Sequence, residues 1–238
     1  MKLLSTANPK IQKGTKFGYL TYILHLAPSD LSGHNVCPKA TAGCIAACLN
    51  TAGRGGMFKA GEVTNVIQKA RIRKTLLFIN DRAGFLNLLV SDITKAIRQA
   101  AKLGLIPVFR LNGTSDLSWE KYKIEGKTIF QLFPEVQFYD YTKVLNRKVL
   151  DIPNYHLTFS KADGNDGDVK KAIKQGLNVA VVFATKVLPV SYLGMPVFNG
   201  DDSDIRFRDP KNNVIGLYLK GKTSNKKIAI DSGFAVEV

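Results

Sequence analysis

Three cysteines stand in one short run, His34-Asn-Val-Cys-Pro-Lys-Ala-Thr-Ala-Gly-Cys-Ile-Ala-Ala-Cys48, and the rest of the chain holds none. Cysteines used as small apolar fillers scatter along a sequence, whereas ligands of a soft metal centre must converge on one point. An odd number of thiols also leaves one without a disulfide partner. Cys37, Cys44 and Cys48 are therefore the candidate ligands of a metal centre. The pattern predicts a loop from Pro28 that carries Cys37, then a helix over Gly43 to Asn50 that Gly53-Arg-Gly-Gly56 stops. On such a helix Cys44 and Cys48, four residues apart, share one face, and Cys37 reaches in from the loop.

A structural zinc needs four ligands, and His34 would complete a Cys₃His set. Zinc modules, however, take their ligands as two close pairs from separate turns, and intervals of six and three residues match that poorly. A 4Fe–4S cluster accepts cysteines from a loop and a helix more readily, because its corners lie farther apart than the ligand sites of one ion. Three cysteines leave one of its irons without a thiolate, to be filled by His34, an oxygen ligand, water or a small molecule. Substrate chemistry at a cluster requires an open iron of this kind. The cluster is the leading expectation; zinc and a metal-free cysteine triplet are the alternatives.

Other residues have the types for chemistry. In Ile106-Pro-Val-Phe-Arg-Leu-Asn-Gly-Thr-Ser-Asp116 an apolar run opens into a polar loop, which places Arg110, Asn112 and Asp116 at or just past a strand end. There an arginine can clamp a carboxylate or phosphate. The competing expectation is a network that holds the loop against Trp119. Tyr139, Tyr141 and Lys143 alternate, so they share a strand face and would line a pocket or merely half-bury a strand. His25 and His156 sit among apolar neighbours and read as core histidines. Asp201, Asp202 and Asp204 lack the ligand spacing of a calcium loop and read as a solvated loop. Gly53-Arg-Gly-Gly56 lacks the lysine-hydroxyl ending of a Walker loop, and Arg71-Ile-Arg-Lys74 reads as a solvated helix face.

Positioning these groups requires a scaffold. Strands are expected at Tyr19–Ala27, in the apolar start of Ile106–Asp116, and at Val136–Lys143, Tyr155–Lys161, Asn178–Lys186, Pro196–Asp202 and Asn213–Gly221. Helical periodicity marks Glu62–Phe78, Phe85–Gly104 and Asp166–Gly176, the second ending at a glycine stop. Strands alternating with helices imply mostly parallel pairing, hence an α/β fold. About six or seven strands are too few for a closed eight-stranded barrel, so the expected architecture is a partial or irregular (β/α) barrel with sites at the carboxyl ends of its strands. One domain, residues 1–238, is expected, with residues 28–56 as the cysteine-bearing loop and helix and 222–238 as a tail that folds back as an edge strand or stays loose.

The 34 Lys and Arg exceed the 19 Asp and Glu to give +15, and residues 1–80 hold 11 of those bases against only Asp30 and Glu62. Such a balance favours an anionic small molecule or nucleic acid as partner and leaves a lysine-studded solvated surface as the plain reading. The opening Met1–Pro9 is too short in apolar residues for a secretory signal and no later run could span a bilayer. A cytoplasmic protein without membrane partners follows, and in that compartment thiols stay reduced.

The blocks Cys37–Cys48, Arg110-Leu-Asn-Gly-Thr-Ser-Asp116, Phe138-Tyr-Asp-Tyr-Thr-Lys143 and Tyr155-His-Leu-Thr-Phe-Ser160 resemble those of a bacteriophage family called gene product eighty-eight. That family has no established activity, so the resemblance implies a phage-encoded protein, acting in the host cytoplasm, and little chemistry. More distantly, the cysteine segment is similar in placement to radical S-adenosylmethionine enzymes, which carry a three-cysteine 4Fe–4S cluster in the loop after the first strand of a partial barrel. This likeness implies S-adenosylmethionine as a cofactor and a redox or radical role. Its spacing differs, with three and then two intervening residues in that superfamily against six and three here, and Gly55-Gly56 is followed by Met57 rather than glutamate. The carry-over stops at Cys37, Cys44 and Cys48. The alternative function is a zinc- or cluster-stabilised nucleic-acid-binding protein without catalysis.

Overall fold

Strands and helices alternate along the chain in a computed structural model that describes residues 1–6, 14–51 and 53–238. Residues 7–13, part of the opening stretch read against a secretory signal, and Ala52 lie outside the described residues. The chain begins with β1 (Leu4–Ser5) and β2 (Tyr19–Leu24), then α1 (Ala42–Ala46) in the cysteine segment, α2 (Val66–Asn80) and α3 (Arg82–Lys102). After β3 (Ile106–Arg110) come a small hairpin of β4 (Lys123–Ile124) and β5 (Lys127–Thr128), and α4 (Ile129–Leu132). Next are β6 (Gln137–Thr142), β7 (Tyr155–Ser160), α5 (Asp166–Lys174), β8 (Val179–Phe183), β9 (Ser191–Tyr192) and β10 (Met195–Asn199). The chain closes with β11 (Val214–Tyr218), α6 (Thr223–Asp231) and β12 (Ala235–Val236).

Ten strands make one sheet in the order β1-β2-β3-β6-β7-β8-β11-β10-β9, with β12 also paired to β8. From β2 to β8 the chain advances one place at a time and every pair is parallel. The antiparallel pairs of this sheet are at its margins, β1 on β2 and β9 on β10. The architecture is thus α/β with a mostly parallel central sheet. No closed sheet forms among the described residues, so the expected partial barrel stands here only as an open wall.

Side-chain alternation gives this wall two unlike faces. Phe109, Leu111, Phe138, Tyr155 and Leu157 point into the main apolar core, where α2 and α3 supply Phe78, Phe85, Leu89 and Ile93. Helix α3 suits that task because Phe85, Leu86, Leu89, Ile93, Ala96 and Ala100 recur on one stripe and are buried. Asp81 caps its start by accepting from the Gly84 amide at 2.8 Å. Gly104 ends it at φ +65, where the Leu105 and Gly104 amides donate back to the carbonyls of Ala100 and Ala101. The opposite face carries Val108, Arg110, Tyr139 and Tyr141, and is covered by Ile205 and Phe207 in and beside the short 3₁₀ turn Arg206–Arg208.

The tail folds back onto the sheet. Residues Thr223–Asp231 form α6, and β12 pairs with Val182 and Phe183 of β8, continuing the place that β7 leaves after Ser160. Helix α6 and β12 pack Ala229, Phe234 and Ala235 against Cys44 and Ala47. The contact is tight at Gly43, where a Cβ would come within 2.2 Å of Ser232 Oγ and 2.6 Å of Phe234 Cβ. Among the described residues no helix is long and apolar enough to cross a membrane.

Candidate cysteine site

The crossover from β2 to β3 holds all three cysteines, so they arrive at the carboxyl end of the sheet. Cys37 lies on the loop, with its amide donating to Asn35 Oδ1 at 2.7 Å and its Sγ 3.7 Å from the carbonyl of Thr114. The loop is fixed from beneath by the segment after β3. Asp116 N donates to Val36 O at 2.9 Å and Thr114 Oγ1 to Leu26 O at 2.5 Å. Cys44 lies within α1, whose N-cap Thr41 accepts from the Cys44 amide and itself donates to Asp163 Oδ1.

The helix is shorter than expected. It ends at Ala46 rather than Asn50, and Cys48 stands at the junction with a 3₁₀ turn, Leu49–Thr51. The reason is visible in the hydrogen bonds: Ala47 N still reaches Gly43 O at 2.9 Å, but Cys48 N bonds Ile45 O and Thr51 N bonds Cys48 O, a tighter three-residue pattern. Cys44 and Cys48 are therefore not successive residues of one helix face.

The three thiols still act on one another through their charges. Burial pushes the Cys37 thiol up to about 11, with a hydrogen bond at Ser29 opposing and the charges of Cys48, Cys44 and Asp116 adding to the rise. Burial raises Cys48 as well, helped by Cys44 and opposed by Arg71 and Lys143. Burial works against the charge of Lys143, but Cys44, Asp116 and Cys37 outweigh it and hold its pKa above the usual lysine value. Arg71 reaches the same place from α2 and donates to Asn50 Oδ1 at 2.5 Å. The face read as solvated, Arg71-Ile-Arg-Lys74, is thus only partly so: Arg73 is exposed, whereas Arg71 and Lys74 are half-buried and Lys74 Nζ donates to Leu3 O at 2.6 Å.

Among the described residues no three His, Cys, Asp or Glu side chains are placed to hold a metal ion. One zinc would require sulfurs roughly 4 Å apart, from tetrahedral bonds of about 2.3 Å. His34, the fourth donor considered above, lies exposed on the turn before Cys37. Beside Cys44 and Lys143 opens a polar cavity of about 290 Å³, walled by Lys39, Thr41, Asp163, Asn165 and Asp168.

The residues after β3 split in role. Asn112 Oδ1 accepts from Ser115 Oγ, Leu117 N and Trp119 Nε1, so it holds the loop against Trp119. Asp116 accepts from Thr142 Oγ1 and Lys143 N, both at 2.8 Å, and so ties the cysteine loop to the end of β6. Arg110 turns to the opposite face, 2.7 Å from Asp204 Oδ2 and over the ring of Tyr141. The solvated-loop reading of Asp201 and Asp204 is corrected here. Both are buried, Asp204 against Arg110 and Asp201 against Lys220 and the Tyr218 amide, while Asp202 alone is exposed. Buried arginines draw acidic partners inward, because an unpaired charge costs far more than a paired one. His25 lies just past β2, 3.5 Å from Ser5 Oγ, and burial with Arg71 and Arg110 lowers its pKa to about 3. His156, on the strand face of Arg206, falls to about 4 through burial and that arginine. Arg147, which the sequence reading passed over, grips Glu120 with two nitrogens at 2.6 Å; nothing in its local sequence marks it.

No curated protein and no solved structure matches the chain. The likeness to radical S-adenosylmethionine enzymes gains no support from these comparisons. The model of one family, Gene product 88, matches residues 1–237. The chain therefore belongs to the phage family Gene product 88.

Proposed function

We propose that this protein binds a 4Fe–4S cluster through Cys37, Cys44 and Cys48 and carries out redox or radical-type chemistry at the iron that no cysteine holds. The observation that carries this reading is the placement of all three cysteines on the one crossover that leaves the carboxyl end of β2, within electrostatic reach of Lys143 and Arg71. The donor set is soft and three in number, which suits a cubane with one open corner.

When bound, the cluster would supply one-electron chemistry and an open coordination position. The chain's own groups have separate tasks. Asp116 and Thr114 hold the Cys37 loop, Asp163 and Thr41 hold the start of α1, and Lys143 presents a cation to the sulfur side of the site. The cavity at Lys39, Lys143 and Asp163 would hold a small anionic or hydrogen-bonding molecule on the Lys143 side of the site. The one-place advance from β2 to β8 supports reading the sheet as the wall of a partial barrel, whose carboxyl end is the expected position for such a site.

Anaerobic reconstitution followed by visible absorption, electron spin resonance, and iron and sulfide analysis tests the proposal. We expect a brown protein with about four irons and four sulfides, and loss of both in Cys37→Ser, Cys44→Ser and Cys48→Ser. A colourless protein with stoichiometric zinc and no sulfide overturns it. Titrating S-adenosylmethionine against the reduced cluster separates the two kinds of chemistry: an unchanged spin-resonance signal removes the radical role and leaves a redox one.

A second reading is favoured by the excess of 11 bases over two acids in residues 1–80. In it the metal centre is structural and the protein binds nucleic acid. Binding to a labelled duplex that weakens steeply with salt supports this reading, and no binding at low salt removes it.

A further inference from the structure

The outer surface of the cysteine segment is apolar. Ile45, between the ligands on α1, is 49% exposed and Leu49 just after Cys48 is 54% exposed. Ile228 of α6, the helix packed on α1, is 49% exposed, and Met57 and Phe58 continue the exposed apolar run. These residues are connected in space. Asn225 Nδ2 lies 3.5 Å from Thr51 Oγ1, and Lys222 Nζ stands 5.6 Å from the Phe58 ring centre, so α6 lies alongside the segment that follows Cys48. Single exposed apolar residues are ordinary, but a connected group of them beside a candidate redox centre marks an interaction surface.

The rim of this surface is basic. Between His34 and Asn80 the chain has seven Lys or Arg and a single acidic residue, Glu62. The α6 region adds Lys220, Lys222, Lys226 and Lys227 against Asp231 alone. Lys39, Lys59, Lys222 and Lys227 are exposed. An aliphatic centre with a cationic border is complementary to an acidic protein with an apolar contact spot. It is less suited to nucleic acid, which would want several aromatic platforms for its bases, whereas Phe58 is the one aromatic ring of this group.

We propose that this face docks a small acidic one-electron carrier protein that reduces the cluster; the proposal rests on the cluster reading above. One electron leaves the carrier and enters the cluster, and no bond is made or broken. The carrier is oxidised by one electron and the cluster reduced by one. The contact is of the small, transient kind, where charge complementarity sets the encounter rate and salt weakens it.

The test uses the full chain, a reduced acidic 2Fe–2S ferredoxin as the carrier, and the double variant Lys222→Glu/Lys227→Glu, which leaves every cysteine in place. Labelled ferredoxin binding is measured on the protein with and without reconstituted cluster, and cluster reduction is followed by absorption with ferredoxin or with dithionite. We expect binding and ferredoxin-driven reduction to fall by about tenfold in the variant and with added salt, while dithionite reduces both proteins alike. A cluster-loaded protein whose ferredoxin rate is unchanged by the variant and by salt overturns the docking surface. Salt-sensitive binding lost in the variant, on a protein that takes up no iron or sulfide, supports the surface and sinks the cluster reading instead. A single-stranded oligonucleotide that displaces ferredoxin from the same lysines at lower concentration overturns the choice of a protein partner.

Discussion

The two faces of the sheet are built from the same strands and solve burial in opposite ways. On the helix-covered face Phe109 stacks on Tyr22 with centroids 5.4 Å apart and leans on Phe138 at 5.5 Å. One residue further along, Arg110 and Tyr139 face the other way, into a layer of Arg110–Asp204 and Arg206–Asp209 ion pairs and the Thr21–Tyr139 hydrogen bond. Apolar packing is non-directional, so each side chain contributes by itself. Buried charge works only in pairs, so each member of that layer depends on its partner. Several atoms of the polar layer, including Thr158 Oγ1, His156 Nε2 and Arg206 Nε, have no protein hydrogen-bond partner, whereas Asp140 on the apolar face is met by Leu111 N, Asn112 N and the Tyr155 hydroxyl.

This contrast can be broken by substitution. The largest expected effect is on the apolar side: Phe109→Ala should cost about 4 kcal/mol by urea unfolding, and no second substitution at a neighbour should restore it. Arg110→Met should cost about 3 kcal/mol because it removes the guanidinium paired with the buried Asp204 at 2.7 Å, and adding Asp204→Asn should recover part of that loss. Failure of the double variant to recover would show that Asp204 is held by more than Arg110.

Each face also contains one misfit, and the two titrate with opposite sign. Asp140 lies on the apolar side, where burial raises its carboxyl to about 7 despite Arg110, the Asn112 amide and the Tyr155 hydroxyl. The folded state keeps that proton longer than the unfolded chain, so this group makes stability fall as pH rises from about 4 to about 7. His156, lowered to about 4, refuses a proton that the unfolded chain accepts, so it makes stability fall as pH drops from 6.5 to about 4. Stability from urea unfolding across this range should change by up to about 1.4 kcal/mol per pH unit for each group, the downward slope being reduced by Asp140→Asn and the upward slope by His156→Gln, while His25, lowered to about 3, keeps its own share of the upward slope in both. Asp209, raised to about 6, is common to both variants and cancels between them. The smallest effect is at Thr21→Val, where losing the 3.2 Å contact to the Tyr139 hydroxyl should cost about 1 kcal/mol and leave the helix-covered face untouched.

The same division explains what could be read from the chain. Each of the seven expected strands is present, as β2, β3, β6, β7, β8, β10 and β11, because apolar runs bounded by polar turns are a local signal. Helices α3 and α5 follow from periodicity and start or stop near the expected residues. The cysteine cluster was legible from its spacing, as was the link from Asn112 to Trp119 as one of two options. The burial of Asp204 was not, since it depends on Arg110, 94 positions away. Nor was the early end of α1: Ala46, Ala47 and Cys48 carry no stop signal, and α1 is gripped by Asp163, Ser232 and Phe234 from far along the chain. Arg71 was placed on a solvated face for the same reason, its partner Asn50 being brought to it by the turn at Gly53–Gly56.

The clasp of α1 by α6 and β12 also orders events during synthesis. The cysteines are made well before Ser232 and Phe234, which close over Gly43 and follow Cys48 by 184 and 186 positions. At about 5–20 residues per second the thiols wait on the order of ten seconds or more for their cover. Delivery of any inorganic cargo to them has that interval as its natural opening, and a nascent chain arrested before residue 222 should take up iron and sulfide faster than the finished protein.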